Sequence, residues 1–117
     1  MTANPIAKHV FRFHQASGLP VSQARDFLIR QPAELCDRIV RAAELQGRSS
    51  HLYDPLEDDL QFGPLIAAAL TRADSEIPAT GLGRCHAVWL STQRILRDEH
   101  QIAWFSPRDM NPDKCFD

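Results

Sequence analysis

The sequence lacks any run approaching the ~20 consecutive apolar residues of a membrane-spanning helix. Its 117 residues include only three cysteines, Cys36, Cys85 and Cys115, in no paired spacing. Small secreted scaffolds carry even and denser sets, so these thiols are expected to be free in a reducing compartment. The amino terminus shows no charged-then-apolar export segment, and the expectation is a cytoplasmic protein without membrane contact. Valine and threonine number four each and no Asn-Gly dipeptide occurs, which leaves little from which to build β-sheet. A large excess of one charge sign is missing as well. Thirteen basic and fifteen acidic side chains leave a net charge of −2, too balanced for a general polyanion binder.

What is present reads as globular. Apolar residues make up 44% of the chain and charged residues 24%, outside the range of disordered segments. A chain of this length can bury about two-thirds of its unfolded surface without disulfides or metal, and residues 1–117 are expected to form one domain. Arginine outnumbers lysine eleven to two and alanine is frequent, the habit of a GC-rich bacterial genome.

Proline and glycine divide the chain at regular intervals, proline at segment starts and glycine just past segment ends, as helices use them. Ile6, Val10 and Phe13 make one stripe of a helix over about 5–16. Val21, Ala24, Phe27 and Leu28 share a face of a second, about 21–31, with Ser22, Arg25 and Arg30 outward. Leu35, Cys36, Ile39, Val40 and Ala43 oppose Asp37, Arg38, Arg41 and Glu44 in a third, about 33–46. Asp54-Pro55 reads as an N-cap with proline at the first helical position, opening a short turn through Leu60. Leu65, Ile66, Ala69 and Leu70 define a helix over about 64–73. Cys85, Val88, Trp89, Thr92, Ile95, Leu96 and Glu99 define a last one over about 84–99. The apolar tail from Trp104 to Phe116 is expected to lie extended over the helices. The predicted fold is all-α: a single compact domain of about five helices with an extended C-terminal tail packed over the core.

Patterns that would carry catalysis are sparse. His9 and His14 are five apart and fall on different helix faces, unlike an i, i+4 ligand pair, and no metal site or cofactor is expected. Gly-x-Ser-x-Gly is absent. Cys36 lies on an apolar stripe, which favours an inert thiol, whereas Cys85 sits at a helix start, where the dipole would lower its pKa. Gly81-Leu82-Gly83-Arg84 before a helix resembles a phosphate cradle but lacks a preceding strand and a Gly-Lys-Ser/Thr continuation. The second and third helices have the size of a helix-turn-helix. Only Gln31-Pro32 separates them, and acids alternate with arginines on the third.

The densest charge feature is Asp54, Glu57, Asp58 and Asp59, flanked by Leu52, Tyr53, Leu56, Leu60 and Phe62. Acids in a first helical turn complement the helix dipole; with aromatic flanks they also suit an interface anchor inside a charged rim. The expected function is therefore non-catalytic protein–protein interaction. The expected type is a small bacterial inhibitor (an immunity protein or antitoxin) that masks a partner with a basic surface. The expected contact residues are Tyr53, Asp54, Glu57, Asp58, Asp59 and Phe62, with no catalytic residue. The alternatives are nucleic-acid binding through Arg25, Arg30, Arg38 and Arg41, which the charge pattern disfavours, and a small enzyme using Cys85.

Overall fold

The computed structural model describes residues 5–47, 51–78 and 83–112, with side chains from Lys8 onward. The chain gathers into two compact units, Met1–Leu52 and Tyr53–Asp117. The fold is all-α, and no strand occurs among the described residues. No helix among them is long and apolar enough to cross a membrane.

In the first unit, α1 (Pro5–Ser17) packs against both α2 (Val21–Ile29) and α3 (Ala33–Gln46). The apolar stripes meet as their spacing requires. Val10, Phe13, Ala24, Phe27, Leu28, Leu35, Cys36, Ile39, Val40 and Ala43 are buried, and the Phe13 and Phe27 rings stack at 5.3 Å. Full burial of a side chain such as Leu28 or Ile39 contributes about 1.5–3 kcal/mol. Val21, expected on the buried face, is 50% exposed because it stands in the first turn of α2, at the end of the stripe. Two acids on α3 have partners on α1: Glu44 takes the Arg12 guanidinium on both oxygens, and Asp37 lies 3.5 Å from His9. The alternation of charge along α3 therefore reflects helix pairing. Gly47 closes α3 in the left-handed region (φ 70°), its amide donating to the Ala43 carbonyl.

The second unit holds a 3₁₀ turn (Pro55–Asp58), α4 (Phe62–Glu76), α5 (Arg84–His100) and a four-residue helix α6 (Pro107–Met110). Ile66, Ala69 and Ala73 of α4 pack with Val88, Ile95 and Leu96 of α5. Ile102 and Trp104 of the tail complete this cluster. The tail thus lies over the helices as expected, but it is not extended throughout. Ser106 and Asp109 form a reciprocal capping box that, with Pro107 at the first position, winds residues 107–110 into α6. Phe116 lies outside the described residues.

Two helix ends are fixed by groups from elsewhere. α4 begins two residues earlier than expected because the Asp59 carboxylate accepts from the amides of Gln61 (2.8 Å) and Phe62 (2.9 Å). It continues to Glu76, where the Arg84 guanidinium donates to the carbonyls of Asp74 and Pro78. α5 ends on Gln101 in the left-handed region (φ 53°), with Ile102 donating back to the Leu96 carbonyl and Gln101 to the Arg97 carbonyl.

Candidate partner surface

The acidic segment is built around Asp54. Its carboxylate is fully buried (0% exposed). One oxygen caps the 3₁₀ turn by accepting from the Leu56 amide at 3.0 Å, and the other accepts from the Phe105 amide at 2.9 Å. A carboxylate committed to two backbone donors inside the unit faces no partner. Asp54 leaves the expected contact set for this reason.

Glu57 is half-buried and accepts from the Trp104 indole at 3.1 Å. Burial pushes its carboxyl above the usual glutamate range; the indole hydrogen bond opposes that, and the neighbouring Asp54 and Asp58 charges add to it. Phe62 is half-buried and packs against the α4–α5 cluster. Both are held mainly from within.

The outward part of the segment is Tyr53, Asp58, Asp59 and Leu60. The Tyr53 hydroxyl donates to Asp58 at 2.6 Å, which raises the phenol above its ordinary value. Asp59 is exposed while its carboxylate organises the start of α4. Leu60 is 98% exposed. It was visible in the sequence only as a flank of the acidic run, because nothing local says which of Leu56 and Leu60 turns inward. Gly63 completes the corner: a β-carbon there would stand 2.6 Å from the Glu57 carbonyl oxygen, so only glycine lets α4 approach the 3₁₀ turn this closely.

A second feature of the same unit went unseen in the sequence. His86, Trp89, Leu90 and Gln93 of α5 and Ser106, Arg108 and Asp109 of the tail line a cleft of about 90 Å³. Ser106, His86 and Asp109 share it without forming a nucleophilic relay. Ser106 is buried, and its hydroxyl bonds Asp109 within the capping box. The signal was split between segments distant in sequence, and only the Ser106-Pro107-x-Asp109 capping pattern could have located the second half.

The other candidates are placed as follows. Cys36 is buried, its thiol donating to the Leu28 carbonyl at 3.1 Å, and burial pushes its pKa up. Cys85 is half-buried at the start of α5; Cys115 lies outside the described residues. Arg84, offered as an anion ligand beside the Gly81-Leu82-Gly83 loop, is occupied by the carboxyl end of α4 and by Asp74 at 2.8 Å. Gly81 and Leu82 lie outside the described residues. Arg25 lies 3.8 Å from Asp26 and Arg41 lies 4.0 Å from Asp37, while Arg30 donates to the Asp26 carbonyl. No group of three or more His, Cys, Asp or Glu side chains is placed to hold a metal among the described residues. Compared with protein-family models, curated proteins and solved structures, the chain matches none.

Proposed function

We propose that the protein is a non-catalytic interaction module that masks another protein, of the small bacterial inhibitor type represented by immunity proteins and antitoxins. Its contact surface is the corner formed by Tyr53, Asp58, Asp59 and Leu60. The observation that carries this reading is Leu60, a large apolar side chain 98% exposed on a turn whose backbone is held by Asp54 and Asp59. Single exposed apolar residues are common on surfaces. One that sits on a braced turn, with carboxylates on one side and a tyrosine nearby, has the make-up of an interface anchor with a charged rim. Rigidity favours binding because little conformational entropy remains to be lost on association.

A partner with a basic patch around an apolar pocket fits this chemistry. The experiment is affinity capture from a bacterial lysate with the parent protein and with Leu60→Asp. The reading expects a captured protein that Leu60→Asp fails to retain; equal retention by both forms contradicts it.

A further inference from the structure

Leu60 and the cleft on α5 are complementary surfaces within one unit. The cleft, about 90 Å³, is far below the roughly 300–1,000 Å³ of small-molecule pockets; its scale is that of one aliphatic side chain. Two of its polar lining groups are engaged internally, since the Gln93 amide donates to the Trp104 carbonyl at 3.1 Å and to the Asp109 carboxylate at 2.7 Å. Its lip is apolar and aromatic. Leu90 is 66% exposed, and the Trp89 and His86 rings meet edge to face at 5.5 Å. One exposed cation stands at this lip and a second lies near it on α5. Arg108 lines the cleft, and Arg94 lies one turn beyond Leu90 on the same face of α5. Neither forms an ion pair with another described residue.

Such a socket fits an apolar side chain flanked by carboxylates. Asp58-Asp59-Leu60 of this same chain has that composition, presented outward with a fixed backbone. We infer that the chain associates with itself head to tail: the Asp58-Asp59-Leu60 corner of one copy seats in the His86–Trp89–Leu90–Arg108 cleft of the next. The inference rests on the reading of that corner as a partner surface and names a second copy as its occupant. Because the two surfaces differ, the contact is heterologous, and copies add in chains or rings rather than as symmetric pairs. The contact is small and charge-assisted, so association is weak and falls as salt rises.

The test is sedimentation velocity of the full chain over a concentration series in low and high salt. The sedimentation coefficient should rise with concentration in low salt and much less in high salt. Leu60→Asp and Arg108→Glu alter exposed side chains, so both should keep the parent's helical circular dichroism while each loses the concentration dependence. Mixed together, Leu60→Asp supplies an intact cleft and Arg108→Glu an intact corner. The mixture should form a one-to-one dimer that grows no further. A parent that is monomeric throughout, variants that still self-associate, or a mixture no larger than its parts overturns the inference. A monomeric parent whose captured partner is lost on Leu60→Asp overturns self-association alone and leaves the proposed function standing.

Discussion

The Asp54 carboxylate lies 2.9 Å from the amide of Phe105, a residue 51 positions further along the chain. With the other oxygen on Leu56, one buried side chain both starts the 3₁₀ turn and pins the tail. Ile102 and Trp104, just before Phe105, sit in the α4–α5 cluster, and Ser106, just after it, opens the capping box, so the stretch of tail that Asp54 pins is held on both sides.

Removing this carboxylate should therefore be costly. Asp54→Ala deletes an N-cap, worth about 0.5–2 kcal/mol. It also leaves the Phe105 amide without its acceptor, which costs about 1–3 kcal/mol when buried. A loss of about 2–4 kcal/mol is expected in chemical denaturation. A loss below about 0.5 kcal/mol, as for an ordinary surface change, would show that the Asp54 bridge is dispensable.

Glu57 makes the opposite prediction. Its carboxyl is raised above the ordinary value, about 4.3 in unfolded chains, so the folded state binds the proton more tightly than the unfolded state. This group's contribution to stability therefore grows as pH falls from above the folded value through the unfolded one, and is lost as pH rises through that window. Glu57→Gln removes the charge and keeps an acceptor for the Trp104 indole. It should match or exceed the parent in stability at neutral pH and flatten that part of the pH profile. Glu57→Leu, which orphans a buried indole N–H, should cost about 1–3 kcal/mol. Equal stabilities for the Gln and Leu variants would show that the Trp104 hydrogen bond contributes nothing.

Gln101 offers a stabilising change. A non-glycine residue in the left-handed region costs about 1–2 kcal/mol, and the exposed Gln101 side chain has φ 53°. Gln101→Gly should raise the midpoint of thermal unfolding, by an amount equivalent to about 0.5–1 kcal/mol after the added flexibility of the unfolded chain is subtracted. A lowered midpoint would mean that the Gln101 side chain matters more than its backbone strain.

How much of this was readable beforehand follows from how local each determinant is. The stripe Leu35, Cys36, Ile39, Val40, Ala43 recurs within one helix, and so its burial was evident from spacing. Asp54-Pro55 announced an N-cap because the cap contacts a residue only two positions on. The second role of the same carboxylate, at Phe105, left no mark near Asp54. The extension of α4 to Glu76 depends on Arg84, ten residues beyond Asp74, and was equally hidden. Of the expected contact residues, Asp54 turned inward and Glu57 and Phe62 turned half inward, because an acid or aromatic in a first turn reads the same whether it faces water or the tail. α6 is a different case: Ser106-Pro107-x-Asp109 is a local capping signal, outweighed by the apolar character of the surrounding tail.

The central proposal is that Tyr53, Asp58, Asp59 and Leu60 form the surface through which the protein binds another. The measurement that tests it most directly is the association and dissociation kinetics of corner variants with the captured partner. Asp58→Lys, which leaves the Asp59 carboxylate holding the start of α4, should slow association and flatten its salt dependence, because rim charges act on encounter. Leu60→Ala and Tyr53→Ala should each speed dissociation by an amount equivalent to about 1–2 kcal/mol, as truncated anchors do. If all three bind like the parent while changes at Arg38 and Arg41 on the outer face of α3 abolish binding, the surface lies on the first unit and the claim is wrong.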